Sequence, residues 1–174
     1  MRLPVVAALL ALVCAAAQAH AQATPAAPAP AAAPTPPPPP APYGMPIGYD
    51  TASKALNAAL AEGRKNGWKL AIAVVEPSGE LVAFAKDEGA GYGATDVAIG
   101  KARSSARFGR ETRVLAESFN NGRLWPLAID GLIPVEGGVP IVIGGRTVGA
   151  IGVSGASAAQ DGQAAKAGAA AVAG

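Results

Sequence analysis

The chain has 174 residues, 51% hydrophobic and 15% charged, with a formal net charge of +2. Fourteen Lys and Arg against twelve Asp and Glu exclude a nucleic-acid coat and a polybasic membrane patch. Aromatics make up only 5%, so the core must be closely packed rather than bulky.

Arg2 and an apolar run over residues 3–17 lead into Ala19-His20-Ala21 and Ala21-Gln22-Ala23. A charged start, an apolar stretch and an A-x-A site are the layout of a secretory signal peptide. Residues 1–21 are therefore predicted to be removed, with cleavage after 21 or 23, leaving a periplasmic or secreted protein. The run is shorter than the roughly 20 apolar residues of a membrane span, so no membrane insertion is expected after cleavage. Cys14 follows Val13, where a lipoprotein signal wants Gly, Ala or Ser, and it leaves with the leader. His20, the only histidine, leaves with it. A mature chain without Cys or His has no disulfide, no Ser-His-Asp triad, no Cys-His pair and no ordinary zinc site.

Residues 22–46 are mostly alanine and proline, with proline unbroken over 36–40. Proline removes backbone donors and favours extended polyproline II, so this stretch is predicted to be a disordered, semi-rigid linker. The folded domain is expected over residues 47–174, one domain by length.

Asp50 or Thr51 is placed to cap a helix with apolar positions at Ala52, Ala55, Leu56, Ala59 and Leu60, ended by Gly63 or Gly67. Residues 69–75 read as a buried strand, Pro77-Ser78-Gly79 as a turn, and 80–86 as the returning strand. Residues 89–93 form a glycine-rich loop that matches neither a P-loop nor a dinucleotide fingerprint. Thr95 or Asp96 then caps a helix to about Phe108, with Val97, Lys101, Ala102, Ser105 and Phe108 along one side. A short helix from a Thr112 cap to Phe119 follows. Trp68 and Trp125-Pro126-Leu127 read as core or interface groups. Residues 141–143 and 146–153 make a hairpin around Gly144-Gly145, which supplies the positive φ angles of a two-residue turn. Ser157 and Gln160 form a capping box that opens a closing alanine-rich helix. Hairpins with helices before, between and after them indicate an α+β fold with an antiparallel sheet.

Gly137-Gly138-Val139-Pro140-Ile141, the run Val148-Gly149-Ala150-Ile151-Gly152-Val153-Ser154-Gly155, and Asp96-Val97-Ala98-Ile99-Gly100-Lys101-Ala102-Arg103 together resemble the GlcG/HbpS-type haem-binding family. The resemblance implies a profilin-like fold, a central antiparallel sheet flanked by helices in three α/β/α layers. It implies a homo-oligomer, and haem or a related tetrapyrrole as the small-molecule ligand in some members. It also leaves two other functions open: an accessory protein or enzyme of small hydroxy-acid metabolism, and an oligomeric sensory or structural module of the cell envelope. One branch of the family is expected to hold haem iron through His and Cys, which the mature chain lacks. Non-enzymatic haem binding is the leading expectation.

Candidate haem contacts are Tyr92, Lys101, Arg103, Arg107 and Phe108. Arginine pairs bidentately with carboxylates, and Arg103 and Arg107 are neighbours on one helix face, suited to two propionates. Their alternative is a solvated face with ordinary ion pairs to Glu111 and Glu117. Lys101 and Phe108, seven residues apart, face the same way and are expected to line one wall. Tyr92 approaches from the preceding loop as an iron ligand, or simply covers the core edge. For hydroxy-acid chemistry the acid-base group would be Lys101 or a carboxylate such as Asp96. Gly137 and Gly138 mark a close backbone approach to a ligand or a strand. Asp87, Glu88 and Asp96 form a weak candidate cation site.

Overall fold

The computed structural model describes residues 38–174. The predicted signal peptide and most of the predicted linker lie outside the described residues. The elements in chain order are α1 (Tyr49–Lys65), β1 (Ala71–Val75), β2 (Leu81–Lys86), α2 (Ala94–Phe108), α3 (Thr112–Asn120), a 3-10 turn (Trp125–Ala128), β3 (Gly138–Ile143), β4 (Arg146–Ser154) and α4 (Ala158–Ala170). The four strands form one antiparallel sheet in the order β2-β1-β4-β3.

Alternation along β1 divides the core. Ile72 and Val74 pack with α1, α4, Ile151 and Val153, whereas Ala71, Ala73 and Val75 meet Ala98, Ala102 and Ala106 of α2. A β-strand sends successive side chains to opposite faces, so one fully buried strand serves both layers. The result is the three-layer α+β arrangement expected from the family resemblance. Small residues let α2 lie close to the sheet. A Cβ on Gly152 would strike the Ala98 carbonyl and the backbone of Ala102. The sparse aromatic content thus becomes backbone-close packing of a helix on a strand.

Several helix starts differ from the sequence reading. Gly48 occupies the N-cap of α1 and Asp50 lies within its first turn; α2 begins at Ala94 after Gly93, ahead of Thr95 and Asp96. Thr112 is not a cap, because its hydroxyl instead accepts the Gly138 N–H at 2.8 Å, tying α3 to β3. The hairpin turn has Gly144 and Gly145 at φ 56° and 73°. The capping box of α4 is present: the Ser157 N–H donates to Gln160 Oε1 at 3.1 Å.

The last part of the predicted linker is not a free spacer. The Thr147 N–H donates to the Pro42 carbonyl at 2.8 Å, the Gly44 N–H to the Thr147 carbonyl at 2.9 Å, and the Ile47 N–H to the Val148 carbonyl at 2.8 Å. β4 is longer than its partner β1, whose register ends at Val75 opposite Ala150. The backbone of Thr147 and Val148 would otherwise lack partners on that side, and residues 42–47 supply them. Tyr43 forms a parallel bridge to Thr147, and its hydroxyl donates to the Ala106 and Arg107 carbonyls at 2.9 and 2.8 Å. No helix among the described residues is long and apolar enough to cross a membrane.

Candidate functional site

The outward face of α2 carries Asp96, Ile99, Gly100, Arg103 and Arg107, at spacings that place them on one side of a helix. The opposite side, through Ala98, Lys101, Ala102 and Ser105, is buried. Between that outward face, Leu81 at the start of β2 and Ile133 of the following loop lies an open cleft of about 370 Å³. Leu81, Ile99 and Ile133 give it apolar walls, and Arg103, Arg107 and Asp96 give it charge. A second, much smaller recess adjoins it along Arg103, Arg107, Phe108 and Ile129.

Both arginines are held by the turn between β1 and β2. Arg103 Nε donates to the Gly79 carbonyl at 3.0 Å and Arg107 Nε to the Ser78 carbonyl at 3.2 Å. Neither forms an ion pair among the described residues, whereas Arg113 pairs with Glu111 and Glu117. The basic cluster therefore splits. Arg113 behaves as a salt-bridged helix residue, and Arg103 and Arg107 keep their terminal guanidinium nitrogens clear of carboxylate partners.

Arg103, Arg107 and Phe108 come together at the cleft and its adjoining recess, where Phe108 packs against Trp125 with ring centroids 6.1 Å apart. Lys101 and Tyr92 are not brought to it. Lys101 is 1% exposed and its ammonium donates to Asp161 Oδ2 at 2.8 Å and to the Val153 carbonyl at 3.0 Å. Residues two apart on a helix point roughly 200° from each other, so Lys101 cannot share the face of Arg103. Lys101 and Phe108 do not form a common wall, because the first faces the sheet and the second lies at the helix end beside Trp125. Tyr92 is 98% exposed, outside the cleft lining, with the Lys86 ammonium 5.2 Å from its ring.

The buried pair accounts for the glycines. Gly137 has φ 130°, and a Cβ there would lie 2.7 Å from Lys101 Nζ and from the Val153 carbonyl. Gly138 abuts the Lys101 carbonyl. The close approach read from the sequence is thus to α2 and to β4. Burial pushes the Asp161 carboxyl pKa upward, against the opposing pull of Lys101 and the Ala156 N–H. Among the described residues no three His, Cys, Asp or Glu side chains are grouped to hold a metal, and Asp87 instead pairs with Arg64 at 3.0 Å, so the candidate cation site is not formed.

Residues 47–170 match the family described as haem degrading protein HbpS-like. The chain belongs to this family. It is 41% identical over 103 residues to protein GlcG of Escherichia coli K12, covering 59% of this chain and 77% of GlcG. The crystal structure of HbpS superposes with a TM-score of 0.71 at 30% identity, covering 75% of this chain and 93% of that one. A double mutant of Streptomyces reticuli HbpS gives 0.70 at 31% identity, covering 83% and 100%. A complex of PduOC with haem shares the fold at 19% identity, with a TM-score of 0.67 and 73% and 95% covered. Residues 38–46, the strap that runs along β4, lie outside the family match.

Sequence reasoning missed the cleft's second wall. Leu81 and Ile133 lie far from α2 along the chain, and no local pattern marks residues 129–133 as returning to Gly100. The sequence reading also places Lys101 with Arg103 and Arg107, whereas the fold puts it on the buried face of α2 with Ala98 and Ala102.

Proposed function

We propose that this HbpS-like protein is an exported, non-enzymatic binder of haem or a related carboxylated tetrapyrrole, held at the α2 cleft by its periphery. The observation that carries the reading is the pair Arg103 and Arg107. Their terminal nitrogens have no carboxylate partner among the described residues, and they sit at the rim of apolar walls from Leu81, Ile99 and Ile133. Fixed guanidinium groups suit carboxylate recognition, and apolar walls suit the ring edge. The membership of this chain in a family described as haem degrading supports the same ligand class. Asp96 lies in the lining and disfavours a third carboxylate there.

The residues fit the acid groups and apolar edge of such a ring but supply no strong axial ligand. Residues 38–174 contain neither His nor Cys, Lys101 is enclosed with Asp161, and Tyr92 lies outside the cleft. The arginines would hold the propionates, and the iron, when present, would supply any redox chemistry. Titration with haemin tests this: a saturable, near-stoichiometric Soret change supports it, and a spectrum equal to free haemin plus inert protein ends it.

The cleft volume gives a second reading, a small hydroxy acid bound by the same arginines. Lys101 cannot serve as its base while enclosed, which leaves Asp96. Turnover or binding of a 2-hydroxy acid that survives Arg103→Ala and Arg107→Ala would remove this site from that reading.

A further inference from the structure

The wall of the cleft formed by Ile133 is attached to α2 by two residues one turn apart, neither of which the proposed function has used. Ser104 is 2% exposed, and its hydroxyl donates to the Gly100 carbonyl at 2.7 Å while accepting the Ile133 N–H at 2.9 Å. The Ile133 side chain rests on Gly100, where a Cβ would come within 2.6 Å of Ile133 Cγ1. A serine bonded back to the carbonyl four residues earlier fixes its oxygen against the helix, leaving its lone pairs aimed outward at the loop. The missing side chain at Gly100 provides the seat.

Elsewhere the stretch is anchored by the buried Pro126 and by Trp125, which packs on Phe108. Residues 121–131 are exposed apart from Pro126, including Leu124, Leu127 and Ile129, and Gly122 and Gly131 bracket the segment at φ 79° and 72°. The Trp125 indole N–H reaches Ser118 Oγ at 3.2 Å, and the Leu132 N–H closes a turn onto the Ile129 carbonyl at 3.2 Å. The Ser104 hydroxyl is thus the polar link between this wall and the helix that carries both arginines.

We infer that Ser104 is a positioning residue for ligand binding: with Gly100 as the seat, it fixes the Ile133 wall opposite Arg103 and Arg107 and so sets the width of the cleft for a flat, carboxylated ring. The inference rests on the proposed tetrapyrrole reading for its ligand, but its geometry can be read without one. Amide exchange of the ligand-free full-length protein should show the Ile133 N–H exchanging roughly five- to tenfold faster in Ser104→Ala, with β1 amides unchanged. Haemin affinity should fall about three- to tenfold in both Ser104→Ala and Ile133→Ala, with less than additive loss in the double variant. Ile133→Ala separates the two parts, since it removes the wall while keeping the backbone link.

Unchanged Ile133 exchange in Ser104→Ala overturns the link, whatever haemin does. Faster exchange with parental haemin affinity in both variants overturns the role in binding. A parent protein that does not bind haemin overturns the tetrapyrrole reading, and the exchange result then decides the link by itself.

Discussion

Lys101 Nζ lies 2.8 Å from Asp161 Oδ2, joining α2 on one face of the sheet to the first turn of α4 on the other. Both side chains are almost wholly buried, at 1% and 3% exposure. The ammonium also donates to the Val153 carbonyl, and Asp161 Oδ1 accepts the Ala156 N–H at 3.0 Å. The pair passes beside Gly137, whose lack of a side chain leaves the room.

Removing one partner leaves a buried charge without compensation. Lys101→Ala should therefore lower unfolding stability by about 3–5 kcal/mol in urea titration. Replacing both partners with apolar residues, as in Lys101→Met with Asp161→Leu, should recover much of that loss. A Lys101→Ala protein with parental stability and altered haemin binding would return Lys101 to the ligand site.

The pH dependence has a defined direction. Burial raises the Asp161 pKa in the folded state, so the native protein holds this proton more tightly than the unfolded chain, whose aspartates titrate near pH 4. The stability contributed is fully present below that ordinary value and is lost as pH rises through the raised one. Asp161→Asn cannot titrate at this position. The parent's unfolding free energy, measured relative to Asp161→Asn, should fall as pH rises above the ordinary aspartate value of about 4. A relative stability that grows over this range would mean that Lys101 outweighs the desolvation.

Local patterns carried most of the fold. The spacing of Ala52, Ala55, Leu56, Ala59 and Leu60, the Gly144-Gly145 turn and the Ser157–Gln160 box each encode an element in adjacent residues. The site was less legible because its relationships cross the chain. Lys101 reads as part of a basic cluster until Asp161, 60 residues later, is seen to neutralise it. Residues 38–46 read as proline-rich linker because composition does not show that β4 outruns β1. Arg103 and Arg107 were picked out by their spacing, but only the fold separates them from Arg113.

The strap should stabilise the end of α2. The last carbonyls of a helix lack intrahelical donors, and the Tyr43 hydroxyl serves those of Ala106 and Arg107. Tyr43→Phe should cost about 0.5–1.5 kcal/mol in urea unfolding. Deleting residues 38–46 should cost more, because it also strips the partners of Thr147. Equal stability of the parent and the deletion would mean that the strap contributes nothing.

Arg103 and Arg107 should act through charge. Arg107→Ala should weaken haemin binding by about 0.5–1.5 kcal/mol and reduce its salt dependence, since one screened pairing is gone. Arg107→Lys keeps the charge but not the planar fork, and should fall between Ala and the parent. Haemin affinity unchanged in Arg103→Ala/Arg107→Ala would place the ligand elsewhere.

Holding a tetrapyrrole by its edge has a consequence for the metal. An axial His or Cys would make affinity depend on iron, but residues 38–174 contain neither, and the cleft lining offers no other strong ligand. Metal-free protoporphyrin presents the same propionates and the same apolar edge to Arg103, Arg107, Leu81, Ile99 and Ile133. It should bind within about threefold of haemin, a difference below 1 kcal/mol. Tyr92→Phe should leave both affinities and the Soret band unchanged, because the side chain projects into solvent beside Lys86. Fluorescence quenching of the tryptophans measures both ligands on one scale. Haemin binding more than tenfold tighter than protoporphyrin, with a Soret shift in Tyr92→Phe, would instead assign Tyr92 to the iron.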